Sequence, residues 1–256
     1  MKIHFLGTIS GLWQTPERQH QSFAIEVNKA LYIFDAGAGC SRTAQLMGLD
    51  LLAVKKVIIS HVHMDHVGGL GNLFWDIRKQ QNWLKMAQKF GDVHLHIPVK
   101  EIWDAFLRIL VHTEDGFTGM PVHCHLVTDG VVFEDENMKV TAFHNRHRGI
   151  PTDGNWESFS FLIEAEGKRI VYTGDIKEYS ELDIVSMDGC DAAIAETGHH
   201  DYMDVCKYMN SRGVKHLFYS HIGRSIMVDY GKAQRDLNNN FNGQATICED
   251  ATTFEL

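Results

Sequence analysis

A weak internal repeat constrains how this chain can fold. The segment SFAIE at 22–26 recurs as SFLIE at 160–164, and each copy is followed by a hairpin and a strand that ends at an aspartate beside glycine. Further along each half, a short apolar strand finishes in Ser-His, at His61 and at His221. Two sheets related by a pseudo-twofold would bring these strand ends to one edge. The repeat therefore predicts an α/β fold, an αββα sandwich with a site between its two sheets.

Short apolar runs alternate with amphipathic segments along the rest of the chain. Asn28-Lys29 and Glu166-Gly167 each stand between two β-rich runs and predict hairpin turns. Apolar residues at helical spacing predict helices near 41–48, 70–90, 99–112, 200–212 and 225–238. No linker, low-complexity tract or charge block divides the chain, so we expect residues 1–256 to form a single domain.

The charge balance and the cysteine content argue against several classes of partner. With 24 basic and 33 acidic residues, the formal net charge of −9 disfavours the broad basic surface that a long nucleic acid requires, but a local cation can still attract a small anion. The five cysteines are odd in number, widely spaced and without a C-x-x-C pair, which is typical of a reduced, cytoplasmic protein. The sequence shows neither a leader pattern nor a segment of membrane-spanning length, so we expect no membrane partner.

The segment SHVHMDHVGG at 60–69 places ligand-type side chains at the end of a predicted strand. In an extended segment alternate residues point the same way, so His61 and His63 can face one point, while Asp65 and His66 reach a second point nearby. Imidazole suits zinc and similar ions, and a carboxylate adds a harder ligand. One metal cannot comfortably use all four side chains. The segment therefore predicts a centre of two metal ions that other segments complete.

This H-x-H-x-D-H pattern resembles the signature of the metallo-β-lactamase fold, and the resemblance extends over nearly the whole chain. VTAFHNRH at 140–147 resembles the segment of the third-motif histidine, IVYTGD at 170–175 that of the bridging aspartate, and LFYSHIGR at 217–224 that of the last histidine. The resemblance also implies that Asp35, in FDAG, is the buried carboxylate that orders the ligand loop.

The resemblance implies a specific set of metal ligands. One metal is held by His61, His63 and His144, a second is held by Asp65, His66 and His221, and Asp175 bridges the two. The residues themselves leave alternatives open. His147 competes with His144 as the third ligand, because only the register of the strand separates them. Asp175 can instead be a turn aspartate, and His221 a satisfied core histidine.

The surroundings of the later ligands are similar to those of the ribonuclease Z and cyclic-nucleotide phosphodiesterase branch of this fold. FHNRHRG at 143–149 lacks the P-G-H-T-x-G run of glyoxalase-type and lactonase-type members, so thioester and lactone hydrolysis falls to second rank. Only about 30 residues separate His144 from Asp175, which leaves no room for the long basic arm of transfer-RNA-processing members. Their His-Glu-Ala-Thr motif is also changed, because Ala195 stands where its histidine would be.

The segment AETGHHDYMDV at 195–205 resembles that of small phosphodiesterases of this fold, including the phage anti-Pycsar enzymes that open cyclic nucleotides. We predict His199 as the catalytic residue that protonates the departing oxygen, and Glu196 as a support for a ligand histidine. Asp65 is predicted to orient the nucleophile in addition to its role as a ligand. Solvated imidazoles are the alternative for both His199 and His200.

These observations predict a dinuclear metal-dependent phosphodiesterase that cleaves a small anionic phosphodiester, a cyclic nucleotide, by attack of a metal-bridged hydroxide. The expected cofactors are two divalent metal ions, with zinc favoured and manganese or iron also compatible. The alternatives are an RNA end-processing nuclease of ribonuclease Z type, a lactone or thioester hydrolase, and a metal-holding binding protein without turnover.

Three further expectations concern partners. Arg148 and Arg224 are candidates for binding phosphate oxygens, although solvated arginines are commoner. No long nucleic acid is expected to bind. A homodimer is expected, with Trp75 and Trp83 supplying apolar interface area.

Overall fold

The computed structural model describes residues 1–12, 15–113 and 121–256. Within them, the amino-terminal half of the chain builds the first of two sheets. Its strands are β1 (Lys2–Gly7), β2 (Ser22–Val27), β3 (Ala30–Phe34), β4 (Val54–Ile58), β5 (Val93–Ile97), β6 (Val122–Leu126) and, from the carboxyl terminus, β14 (Thr252–Glu255). They lie in the order β14-β1-β2-β3-β4-β5-β6. The pairs up to β3 are antiparallel, whereas β3 to β6 run parallel.

The second sheet repeats this plan with the second half of the chain. Its strands are β7 (Gly130–Glu134), β8 (Lys139–His144), β9 (Phe159–Ala165), β10 (Lys168–Tyr172), β11 (Ala192–Glu196), β12 (His216–Ser220) and β13 (Gln244–Ile247). An antiparallel meander from β7 to β10 continues into the parallel strands β10 to β13. The sequence repeat thus reflects two sheets of matching topology.

Helices cover the outer faces of both sheets. They are α1 (Cys40–Leu46), α2 (Met64–Val67), α3 (Leu70–Leu84), α4 (Lys100–Thr113), α5 (Tyr202–Ser211), α6 (Arg224–Met227) and α7 (Tyr230–Asn240). One apolar layer fills the space between the sheets, a second lies under α1, α3 and α4, and a third lies under α5 and α7. The αββα sandwich and the α/β class predicted from the sequence are confirmed.

Both predicted hairpin turns are present. Asn28 and Lys29 have positive φ values of 50° and 68°, and Glu166 and Gly167 have values of 49° and 73°. Two consecutive residues with positive φ match the twist of the flanking strands, which is why such two-residue turns connect hairpins.

The helices differ from the sequence prediction at several boundaries. The helix expected over 70–90 ends at Leu84, because Lys85 adopts the left-handed conformation with φ 51°. The helix expected near 225–238 is two helices, because the side chain of Asp229 caps α7 by accepting a hydrogen bond from the Lys232 amide. The strand β14 was not predicted. Among the described residues, no helix is long and apolar enough to cross a membrane.

Candidate metal centre

The segment after β4 positions the densest group of ligand-type side chains. Strand β4 ends at Ile58, and the chain then passes through His61 and His63 and enters the short helix α2, which contains Asp65 and His66. The turn out of α2 needs glycine, because a Cβ on Gly69 would lie 2.2 Å from the carbonyl oxygen of Gly37. The two loops therefore pack backbone against backbone.

The first cluster of nitrogen atoms is formed by three histidines. His61 Nε2 lies 3.0 Å from His63 Nδ1, and His147 Nε2 lies 3.1 Å from that same atom. His61 is completely buried, and the His147 side chain is 9% exposed. Three imidazole nitrogens that converge in this way can hold a metal ion.

The structure does not bring His144 to this cluster, in contrast to the prediction from the sequence. His144 is the last residue of β8, its side chain is 34% exposed, its Nδ1 lies 2.6 Å from Asp129 Oδ2, and its ring stacks on Trp156 at 4.0 Å. The chain turns after the strand, because the Asn145 side chain accepts a hydrogen bond from the His147 amide at 3.1 Å. This turn directs His147, the alternative that the sequence left open, towards His61.

The second cluster combines carboxylates with two buried histidines. His221 Nε2 lies 3.0 Å from Asp65 Oδ2, and His66 Nε2 lies 3.7 Å from the same oxygen. Asp175 stands between the two clusters. Its Oδ1 is 3.4 Å from both His66 Nε2 and His221 Nδ1, and its Oδ2 is 3.8 Å from His61 Nε2. Asp175 is thus the residue that the two clusters share.

Asp35 fixes the loop and the tautomer of His66 from behind. This fully buried carboxylate accepts hydrogen bonds from the Ser60 amide at 2.6 Å, the Ser60 hydroxyl at 2.8 Å and the Tyr172 hydroxyl. It also accepts one from His66 Nδ1 at 2.7 Å. With a proton on Nδ1, His66 can offer the lone pair of Nε2 to a metal ion.

The charges in the site fit divalent cations. The carboxylates of Asp35, Asp175 and Glu196 are buried, and that of Asp65 is largely buried. Burial would lower the pKa of His221, but the charge of Asp175 and the hydrogen bond to Asp65 outweigh it and raise the pKa to about 9. Without another cation, the carboxylates therefore recruit protons as the source of positive charge.

Unpaired atoms point to the same conclusion. Three buried atoms of the second cluster have no hydrogen-bond partner among the described residues, namely His66 Nε2, Asp175 Oδ1 and His221 Nδ1. Burying such groups without a partner is costly, and a coordinated cation would satisfy all three. Burial lowers the pKa of His147 to about 4, so this ring is available as a neutral ligand. The residues present therefore fit the pair of metal ions that this fold implies.

His199 and Glu196 form a dyad beside these clusters. The buried Glu196 carboxylate accepts hydrogen bonds from the Ile176 amide at 2.9 Å, and from the amide and Nδ1 of His199 at 3.0 and 2.8 Å. The hydrogen bond to Glu196 raises the pKa of His199 although burial opposes it. His200 is directed elsewhere, because its Nε2 donates to the Ile176 carbonyl at 3.0 Å.

A cavity of about 300 Å³ opens onto both clusters and onto the dyad. Its walls are Ser10, Gly11, Leu12, His63, Asp65, Asp175, Gly198, His199 and His221. At its side, Arg148 Nη1 lies 2.8 Å from His63 Nε2.

Sequence reasoning also missed the support that Gln21 gives to the site. The fully buried Gln21 accepts hydrogen bonds through Oε1 from the Ser220 hydroxyl at 2.6 Å and the His221 amide at 2.9 Å. His221 has a positive φ of 49°, and these bonds help to hold it there. One indication of this role was present in the sequence, which is the position of Gln21 directly before the repeated SFAIE segment.

Comparison with known proteins identifies the family and the fold of this chain. The family model for the anti-Pycsar protein Apyc1 matches residues 1–233. A relative named ribonuclease Z from Natronomonas pharaonis is 24% identical over 100% of this chain and 98% of its own length.

Two solved structures share the fold. The short form of human tRNase Z superposes with a TM-score of 0.72 at 21% identity, covering 100% of this chain and 99% of its own. The metallo-β-lactamase fold protein YhfI of Bacillus subtilis superposes with a TM-score of 0.75 at 15% identity, covering 99% and 98%. The resemblance predicted from the sequence motifs is confirmed, and the chain belongs to the Apyc1 family of metal-dependent hydrolases with the metallo-β-lactamase fold.

Proposed function

We propose that this chain hydrolyses a small phosphodiester, a cyclic nucleotide, with the help of two zinc ions. The observation that carries the proposal is the pair of ligand clusters that share Asp175 and open into one cavity. His61, His63 and His147 would hold one ion, and Asp65, His66 and His221 the other, with Asp175 between them. When bound, two such ions neutralise charge on phosphoryl oxygens and provide an activated water at neutral pH.

The side chains around the cavity have distinct roles in this reaction. Asp65 reaches the cavity wall, where its carboxylate can accept a proton from the attacking water and orient it towards phosphorus. His199 gives its Nδ1 proton to the hydrogen bond with Glu196, so Nε2 is the nitrogen that can donate a proton to the departing oxygen. Glu196 thus acts by positioning His199.

The size of the site supports a small substrate. A cavity of about 300 Å³ is at the lower end of the range for small-molecule sites, roughly 300–1,000 Å³. The chain between His147 and Asp175 contains a loop and the β9–β10 hairpin, and no extended arm. The formal net charge of −9 also disfavours a long polyanion.

An RNA-processing nuclease is the second candidate. Its support is the relative named ribonuclease Z, which aligns with all of this chain. This candidate predicts cleavage of structured RNA with an affinity that falls steeply as salt rises, because several phosphates would be neutralised at once. A cyclic mononucleotide carries one phosphate charge and predicts a shallow salt dependence.

The deciding experiment presents both substrate classes to the metal-loaded protein. A panel of 3′,5′- and 2′,3′-cyclic mononucleotides and a short structured RNA would be incubated and the products followed by liquid chromatography, with Asp175→Ala as the control. We expect ring opening that is lost in the variant. RNA cleavage alone would replace the proposal with the second candidate. Survival of every phosphate compound would refute both and direct the search to lactones and thioesters, and bound nucleotide without turnover would identify a binding protein.

We also propose that the chain forms a homodimer through the end of α3. Trp83 is 86% exposed, and Leu84 and Met86 beside it are about half exposed. Trp75 is only partly buried and borders the same surface depression. Exposed apolar groups of this kind are typical of interfaces. Light scattering should give twice the chain mass, and Trp83→Lys should shift it to that of one chain; a monomeric wild type would refute the proposal.

A further inference from the structure

The cavity at the candidate centre offers little apolar surface to a ligand. Among the described residues that line it, Leu12 is the only one with an apolar side chain, and the others are polar, ionisable or glycine. The Leu12 side chain is 90% exposed. Other exposed leucines, such as Leu46 and Leu126, do not line this cavity. Leu12 is therefore distinguished by its place at the site and not by its exposure alone.

Backbone contacts hold the segment before Leu12 against the candidate ligands. The Ser10 amide donates a hydrogen bond to the Ile222 carbonyl at 3.1 Å. Gly11 comes so close to Asp65 that a Cβ on this glycine would lie 2.9 Å from Asp65 Oδ2. The position of Leu12 at the cavity wall thus follows from the contacts of the two residues before it.

The rest of the described wall gives a ligand no second apolar side chain to contact. Gly198 can carry no side chain, because a Cβ there would lie 2.5 Å from His221 Nδ1. Ser10 is buried. His199 is the proton donor of the proposed function, and the other ionisable residues of the wall belong to the candidate ligand clusters. An apolar part of a ligand therefore has Leu12 as its contact.

We propose that Leu12 packs against the nucleobase of the substrate and so selects phosphodiesters that carry a base. The inference rests on the proposed phosphodiesterase function and names the part of the substrate that this residue recognises. Small-molecule sites combine a few polar groups that fix orientation with apolar side chains that cover the rest of the ligand. The ligand clusters supply the polar groups for the phosphodiester, and Leu12 supplies the apolar surface for the faces of the base.

The hydrophobic effect determines both the size and the kind of selection. Removing apolar surface from water is favourable in proportion to its area, so covering most of an exposed leucine side chain strengthens binding by about tenfold. The effect is also non-directional. Leu12 thus selects for the presence of a base and not for the hydrogen-bonding groups at its edge.

Leu46 provides a matched control. It is the last residue of α1, it is 69% exposed, and it does not line the cavity. Leu46→Ser therefore removes an exposed leucine in the same way as Leu12→Ser but at a distance from the proposed contact. Since both side chains are exposed, both variants should melt close to the wild type.

The test measures the binding of three probes to zinc-loaded protein by calorimetry, with metal content determined on each sample. The probes are inorganic phosphate, ribose 5-phosphate and adenosine 5′-monophosphate, and the last two carry the same phosphate group and differ by the base. We expect Leu12→Ser to weaken binding of the adenosine compound by about tenfold and to leave the other two unchanged. Leu12→Met should keep most of the affinity, because methionine restores the apolar surface. Leu46→Ser should bind all three probes as the wild type does.

Two results in these titrations would overturn the assignment. One is equal affinity of Leu12→Ser and wild type for the adenosine compound. The other is an equal loss of affinity for ribose 5-phosphate, which would show that Leu12 does not act on the base.

Kinetics provide a second readout in the active protein. A contact with the base is the same before and during the reaction, so Leu12→Ser should raise KM for a cyclic nucleotide and leave kcat unchanged. A lower kcat at unchanged KM would contradict a role in base binding. Because the titrations need no catalysis, a lack of ring opening would refute the proposed function while the probe affinities still judge Leu12.

Discussion

Replacing His147 by alanine should remove metal from the site, whereas replacing His144 should not. His147 Nε2 lies 3.1 Å from His63 Nδ1 and 3.7 Å from Asp175 Oδ2, inside the converging set of candidate ligands. Loss of a residue that merely supports a ligand lowers metal affinity by about 10–100-fold. Loss of a ligand itself should exceed this range. At about 1.4 kcal/mol for each tenfold step, the His147→Ala variant should lose more than about 1.4–2.8 kcal/mol of metal binding energy.

The expected effect of His144→Ala is of another kind. His144 makes an exposed ion pair with Asp129 and a ring contact with Trp156. An exposed pair is worth about 0.2–1 kcal/mol and an aromatic pair about 0.5–1.5 kcal/mol. For a chain of this size about 1 kcal/mol corresponds to roughly 2–4 °C in Tm. His144→Ala should therefore melt a few degrees lower and retain its metal.

The assay is metal content by mass spectrometry after dialysis of both variants against a graded series of a weak chelator. Melting curves of the metal-free forms, recorded in parallel, separate loss of ligation from loss of folding. We expect His147→Ala to lose metal at a chelator concentration that leaves wild type and His144→Ala loaded. The opposite ranking would refute the assignment, because it would show that the loop after β8 rearranges to direct His144 inward.

Other side chains give equally specific expectations. His199→Ala should lower kcat by about 10²–10⁴-fold at unchanged metal content, as expected for loss of a proton donor, and full turnover on an unactivated diester in steady-state kinetics would contradict this role. Asp35→Asn should weaken metal binding by about 10–100-fold in chelator competition, because it replaces the carboxylate that accepts the hydrogen bond from His66 Nδ1. Unchanged metal affinity would contradict the supporting role of Asp35. Burial lowers the pKa of His96 to about 3. Because the imidazole binds a proton more readily in the unfolded chain, the free energy of unfolding should decrease as pH falls from about 6.5 towards 3. Denaturant unfolding of His96→Leu should show a shallower loss over that range, and parallel curves would rule the contribution out.

Much of the fold could be predicted from local sequence patterns, because turns and strands depend largely on residues that are close together in the sequence. The pairs at 28–29 and 166–167 form the expected turns, since both need two consecutive residues with positive φ. The repeated segments SFAIE and SFLIE became β2 and β9, at matching places in the two sheets. Element ends were less predictable. The break between α6 and α7 depends on one capping aspartate, and β14 depends on pairing with β1 from the other end of the chain.

In the candidate site too, local patterns predicted some features, whereas others depend on contacts between distant residues. The spacing of the ligand-type side chains in 60–69 placed His61 and His63 on one side and Asp65 and His66 on another, and this followed from the alternation of an extended chain and its entry into a helix. The contribution of Gln21 to His221 could not be found in this way, since 200 positions separate the two residues.

The sequence by itself determined the kind of chemistry, because residue types and short spacings decide which atoms are available and which way they point along a strand. Only the tertiary structure decided that His147 rather than His144 joins the cluster, because the Asn145 side chain accepts a hydrogen bond from the His147 amide and the chain turns after β8. It also decided which nitrogen of His63 faces Arg148, because that contact joins residues 85 positions apart. The contacts that His147 and Arg148 make with His63 depend on how the two sheets close against each other, and no local pattern encodes that closure.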